Sequence, residues 1–374
     1  MIKGVILLSS PIAYEKVANM LNQWYSSIKQ HNISAADAKK EEIQPLLDSM
    51  DENQDVLLYY NLLDARYLLL KEEYSKSGGV LDELEKTAEE HETDDMIQYY
   101  FFFFSGMYAY YKKQYTKAIM YYKIAEERLK RIPDEIEKAE FHYYLSKAYY
   151  QIDQNHFSLV HAEIAYDTFK AHDTYKEKTI NCEMMLGANK LDLLLFEEAE
   201  KHYESARTIA KANDFRYSES LALFNLGIAY ERRKMFAEAS TCFEQAWTIP
   251  EHIESFVGVR SAYMLSKVLF QLGDYELART WYDKALKKAT AEGEREYLAK
   301  LKLIHSLYEK QNDQEVRQNI EVLEKMQLWS ETADLSIEIA EYYKNRDDFE
   351  KAAYYFEHGH FAKDKVIQMS EALM

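Results

Sequence analysis

A chain of 374 residues with 64 acidic against 46 basic side chains carries a formal net charge of −18. That sign excludes a surface whose affinity comes from displacing counterions on nucleic-acid phosphates, and it suits a basic partner. The 4 prolines and 10 glycines exclude the frequent turns of a sandwich or barrel, and the 2 cysteines, Cys182 and Cys242, form no C-x-x-C pair or disulfide framework.

In chain order, "MIKGVILLSSP" opens with an apolar run shorter than a signal-peptide core. "YEKVANMLNQWYSSIKQ" places Val17, Met20, Leu21, Trp24, Tyr25 and Ile28 at helical spacing. "SAADAKKEEIQPLLDSM" reads as a second helix capped by Ser34, kinked or restarted at Pro45. "QDVLLYYNLLDARYLLLKEEY" is a third, apolar over much of its surface. Short turns between the three predict a bundle over residues 1–74. Residues 75–95, with the Gly78-Gly79 pair and the acidic run "EEHETDD", read as a linker with one short helix.

From residue 96 onward the chain repeats. A small residue is followed by an aromatic nine positions on, Ala at twelve, an aromatic at sixteen and a small residue at nineteen. Gly106, Tyr115, Ala118, Tyr122, Ala125 fit the frame, as do Gly187, Phe196, Ala199, Tyr203, Ala206. So do the runs that begin at Gly227 and Ser266, and Ala340, Phe349, Ala352, Phe356, Gly359. Weaker copies start at Ser146 and span 296–328. This is the tetratricopeptide frame. The expected fold is all-α: an N-terminal three-helix bundle joined by a linker helix to a right-handed superhelix of about seven helical hairpins, 96–374. The 32 tyrosines and 17 phenylalanines suit helix–helix contacts. No segment reaches the roughly 20 apolar residues of a membrane helix. With lone thiols, the chain is expected in the cytoplasm.

Catalytic and metal signatures are missing: no phosphate-binding loop, no H-E-x-x-H, no G-x-S-x-G. His156 and His161, or His358 and His360, lack a third metal ligand nearby. No metal site is expected. In "MDENQDVLLYY" the residues alone describe a solvated turn whose carboxylates favour the N-terminus of the next helix.

Three blocks add a resemblance: "LNQWYSSIK", "MDENQDVLLYYNLLDAR" and "DEIEKAEF". With the architecture above, the whole chain resembles the Rap family of Bacillus and related bacteria. The resemblance implies a peptide-inhibited regulator of two-component and quorum signalling. Many members dephosphorylate phosphoaspartyl response regulators; the alternative is a non-enzymatic inhibitor that sequesters a transcription factor's DNA-binding domain or an anti-repressor and is released by a Phr-type peptide. In phosphatase members a Gln in the second inter-helix turn of the bundle reaches the aspartyl phosphate, and Gln54 matches it. Glu52, Asp55 and Leu58 are then candidate docking contacts, with Asp134 and Glu137 extending the surface; bundle core and helix capping are the plain alternatives for Leu58 and for the acidic pair. Asp192 and Asn225 match residues that anchor a short Phr-type peptide, the Asn through both N–H and C=O of its backbone. The resemblance implies no cofactor of the chain's own, since the regulator supplies a divalent metal. One departure stands out: Asp64, Ala65, Arg66, Tyr67 replace the Glu-Phe-Arg-His that the family often carries.

Overall fold

The apolar spacing of the first segment forms α1 (Tyr14–Lys29), and its whole stripe, Val17, Met20, Leu21, Trp24, Tyr25 and Ile28, is buried. Helix α2 (Ile33–Leu47) begins one residue before Ser34: the cap is Asn32, whose side chain accepts from the Ala35 N–H at 3.1 Å. Pro45 lies in the last turn of α2, which runs on to Leu47 instead of restarting. Helix α3 (Gln54–Leu70) is apolar on most faces because α1, α4 (Tyr74–Glu90) and α5 (Asp95–Tyr111) all pack on it. These coordinates are a computed structural model that describes residues 12–90 and 95–371; the N-terminal "MIKGVILLSSP" and most of the acidic run "EEHETDD" lie outside the described residues.

Hairpins follow: α5 with α6 (Tyr115–Leu129), α7 (Glu135–Tyr150) with α8 (Asn155–Lys170), and α9 (Lys176–Asp192) with α10 (Phe196–Ala212). Next come α11 (Arg216–Arg232) with α12 (Phe236–Trp247), then the short α13 (Pro250–Glu254), then α14 (Val257–Leu272) with α15 (Tyr275–Glu292). The last two are α16 (Arg295–His305) with α17 (Asp313–Lys325), and α18 (Trp329–Lys344) with α19 (Phe349–Glu371). The described residues therefore form an all-α chain of an N-terminal bundle and seven tetratricopeptide-type hairpins. It divides into two compact units, the first closing at Cys182 and the second opening at Glu183, inside α9.

The small anchor of the repeat frame exists because an aromatic ring occupies the space of its side chain. A Cβ on Gly187 would lie 2.6 Å from the Tyr203 ring, and one on Gly227 2.5 Å from Phe243. Phe243 is fully buried and has nowhere to go. Gly227→Ala is therefore expected to cost about 1–3 kcal/mol of stability in urea unfolding; an unchanged midpoint would show that the contact is slack. In the last hairpin the frame slips by one residue: Tyr355, 1% exposed, fills the core and Phe356, expected there, is 40% exposed. The same slip puts Trp281 inside in place of Tyr282.

Every hairpin turns through one left-handed residue after its first helix: Lys113, Asp153, Leu194, Lys234, Gly273, Gln311 and Asp347, with φ between 51° and 84°. Only one of the seven is glycine. The others accept about 1–2 kcal/mol of backbone strain each, offset by the packing of the two helices they join.

In the first unit a continuous apolar core runs from Trp24 of α1 through Leu62 and Leu63 of α3 to Tyr99, Phe103 and Phe104 of α5 and Phe141 of α7. Burial of each large ring contributes about 1.5–3 kcal/mol. In the second unit the main core is built on α14, every one of whose residues from Val259 to Phe270 except Arg260 is buried. Among the described residues no helix is long and apolar enough to cross a membrane.

Candidate functional site

The turn between α2 and α3 is fixed from two sides. Ile12 bridges it through its backbone, Ile12 N–H to Ser49 O and Asp51 N–H to Ile12 O, each 2.9 Å. Asn53, extended at φ −148°, caps α3 by accepting from the Val56 N–H at 3.0 Å. Gln54 is thereby the first residue of the helix. Its side chain is exposed and makes no hydrogen bond among the described residues, so both its amide N–H₂ and its carbonyl face solvent. Glu52 and Asp55 beside it are also exposed. Leu58 is not: at 7% exposure it belongs to the bundle core, which corrects its expected role as a docking contact.

The "DEIEKAEF" block gives two different answers. Asp134 caps α7, accepting from the N–H groups of Ile136 (2.9 Å) and Glu137 (3.2 Å), while its side chain stays 45% exposed. Lys29 and those backbone donors outweigh the effect of burial and hold its carboxyl below the usual range. Glu137 is fully buried, which removes it from any docking surface. It accepts from Tyr25 and Tyr99 hydroxyls, both at 2.9 Å, and lies 3.4 Å from the Lys29 ammonium. Burial pushes its carboxyl up, with Lys29 and the two hydroxyls pulling back. Among the described residues no hydrogen bond or ion pair joins this group to the Gln54 turn.

Two of the departing residues, Asp64 and Tyr67, are engaged. Asp64 pairs with Lys40, and the Tyr67 hydroxyl donates to Asp37. Lys40 and Lys71 stand over the Tyr67 ring at 4.8 and 5.4 Å. These side chains line a polar cleft of about 590 Å³ between α2, α3 and α4.

The second unit holds a larger cleft of about 970 Å³. Asp192, at the end of α9, lines it and pairs with Arg232 at 2.7 Å. Asn225 on α11 is partly buried and is not among the lining residues. Lys267 forms part of the wall between Glu231 (2.7 Å) and Glu338 (2.9 Å), and Gln271 donates to Glu338 at 2.9 Å. Burial alone would lower the Lys267 ammonium, but the two carboxylates hold it well above its usual value. Sequence reasoning named Asp192 of this cleft and missed the rest, although the frame carried a signal. Asp192, Arg232, Gln271 and Asn345 each stand five positions beyond their repeat's anchor, at 187, 227, 266 and 340, and all four line the cleft.

The histidine pairs of the sequence separate. His161 stacks on His142, with Nδ1 atoms 2.9 Å apart, and His358 pairs with Glu324 at 2.9 Å. Among the described residues no group of three His, Cys, Asp or Glu side chains is placed to hold a metal ion.

The family model described as "response regulator aspartate phosphatase H, N terminal" matches residues 11–72, and a tetratricopeptide repeat model matches 180–251. Regulatory protein RapG of Bacillus subtilis is 35% identical over 92% of this chain and 95% of its own length. Response regulator aspartate phosphatase I of the same organism is 29% identical over 97% and 95%. A crystal structure of a Rap protein complexed with competence and sporulation factor superposes with a TM-score of 0.80 at 31% identity, covering 95% of this chain and 99% of that one.

Proposed function

This chain belongs to the Rap family, and from that premise we propose that it removes the phosphoryl group from a response regulator's aspartate and is switched off by a short peptide. The observation that carries the reading is Gln54: an exposed, unengaged amide at the start of α3, on a turn held by Ile12 and Asn53, inside the segment that matches the family's phosphatase model.

The chemistry asks little of the protein. An aspartyl phosphate is an activated acyl phosphate, and in this reading the regulator brings its own divalent ion, so the chain needs no cofactor. Water forms the new P–O bond, the aspartate carboxylate leaves, and the water's proton passes to phosphate or solvent. A neutral amide accepts from that water and orients it in line with phosphorus without repelling the phosphoryl oxygens. Glu52 and Asp55, exposed on either side of Gln54, and Asp134 on the N-terminal end of α7 are the docking contacts.

The peptide lies along the second unit, with Asp192 in the cleft and Asn225, outside the cleft's lining, holding its backbone. Peptide and regulator oppose each other, so each weakens the other's affinity by the same factor. Asp192→Ala and Asn225→Ala are expected to lower affinity for an inhibiting peptide by about 10- to 100-fold, read by titration calorimetry. Wild-type affinity in both variants, with folding intact, would remove these two residues from the switch. The site of action is the cytoplasm, where response regulators work.

A second reading, sequestration of a transcription factor without chemistry, is favoured by Asp64 and Tyr67, two departures from the family pattern that line the cleft between α2, α3 and α4 with a charge and a phenol. Radiolabelled receiver domains separate the two. Faster loss of label in the presence of the chain supports the phosphatase; unchanged loss alongside tight binding supports sequestration.

A further inference from the structure

The outward faces of α6 and α8, both in the first unit, are apolar where their counterparts further along the chain are polar. Met120 and Ile124 on α6 and Phe157, Val160 and Ile164 on α8 are each between 39% and 65% exposed. Met120 and Ile124 stand 14 and 18 positions beyond the anchor Gly106, and Val160 and Ile164 stand 14 and 18 beyond Ser146. At the same two positions the next three hairpins carry Lys201 and Ser205, Thr241 and Gln245, and Thr280 and Lys284. The hairpin fold therefore does not require apolar side chains there, and an exposed apolar patch on two successive hairpins marks a surface that a partner covers. The two lines belong to one face. The Lys123 side chain of α6 hydrogen-bonds the Tyr149 hydroxyl, and the Tyr149 ring stacks on Phe157 of α8 at 5.3 Å.

The charges on this face complement each other across the two helices. Lys117 and Lys123 are exposed on α6, and Glu163 and Asp167 are exposed on α8. Among the described residues Lys117, Glu163 and Asp167 make no ion pair; Lys123 pairs with Glu126 at 3.0 Å and keeps about half of its side chain exposed. Residues 40 apart hold equivalent places on the two helices. A two-fold axis along the helices sets α6 of one copy over α8 of another, and the reverse at the same time. It brings Lys117 onto Phe157, Met120 onto Val160, Lys123 onto Glu163 and Ile124 onto Ile164. Those are a cation on a ring, an ion pair and two apolar contacts, each made twice. Glu127, which would face Asp167, is already paired with Lys130 at 3.1 Å. A partner of one sign suits only one of the helices, whereas a second copy of the chain suits both.

We infer that the outward faces of α6 and α8 form the interface of a symmetric homodimer. Each helix is about 23 Å long, and two such helices from each copy make an interface at the small end of those that persist in solution. Association is therefore reversible and follows concentration, with a dissociation constant on the order of 10 μM. The inference does not rest on the proposed activity.

Sedimentation velocity of the full chain, from about 1 to about 200 μM, tests it. The wild type is expected to pass from monomer to dimer across that range. Val160→Glu changes an exposed side chain and is expected to weaken association by about tenfold or more. Lys123→Glu and Glu163→Lys each set like charges together at two contacts, and each is expected to weaken it by about tenfold. An equimolar mixture of these two variants restores opposite charges at both contacts and is expected to recover wild-type association. A monomer at every concentration would overturn the inference. So would a dimer that Val160→Glu leaves intact, or a mixture no tighter than its components.

Discussion

Replacing Glu137 with Ala is expected to lower the stability of the chain by about 3 kcal/mol, among the largest effects of any single polar substitution in the first unit. The carboxylate is fully buried and receives Tyr25, Tyr99 and Lys29 at once. Its removal leaves two hydroxyls without their acceptor and a buried ammonium with only Asp134. Asp134→Ala is expected to cost less, about 1 kcal/mol, because it loses a helix cap at a half-exposed site. Urea unfolding of both variants checks the ranking. Equal costs would mean that Glu137 is no more engaged than a surface carboxylate.

Gln54→Ala is expected to lower the acceleration of phosphoaspartate hydrolysis by about 10²-fold. It should leave the unfolding midpoint and the affinity for the regulator near wild type. The side chain is exposed and makes no hydrogen bond among the described residues, so loss of activity cannot be charged to the fold. Gln54→Glu should fare no better: it has nearly the same shape but brings a charge against the phosphoryl oxygens. An active Gln54→Ala would move the chemistry elsewhere on the bundle.

The fold was legible because its signals are local and periodic. The α1 stripe from Val17 to Ile28 is buried as spaced, and the anchors Gly106, Gly187 and Gly227 each meet the aromatic sixteen positions on. Features governed by distant partners were not legible. Glu137 read as a surface acid because Lys29, which neutralises it, lies 108 residues away. Tyr355 and Phe356 are adjacent aromatics, and only the packing of α18 on α19 decides which goes inside. The hairpin turns escaped notice because Lys, Asp, Leu and Gln hold left-handed positions where glycine is the usual marker.

The candidate site divides in the same way. The turn around Gln54 could be read because cap, amide and flanking acids are consecutive residues. Its hold by Ile12 could not, since that bridge uses backbone alone. The cleft of the second unit was seen at Asp192. Its Arg232 partner and the Glu231–Lys267–Glu338 network became visible only once the repeats were stacked, because each repeat contributes one or two of the charges.

The central claim is catalytic: one chain empties many regulators. The most direct measurement is phosphoaspartate decay on a response-regulator receiver domain held in large molar excess over this protein. The account predicts that the whole pool loses phosphate faster, and that Gln54→Ala restores the spontaneous rate. Decay that stays spontaneous, with receiver bound only mole for mole, would contradict it and leave the Gln54 turn as a docking surface for that partner.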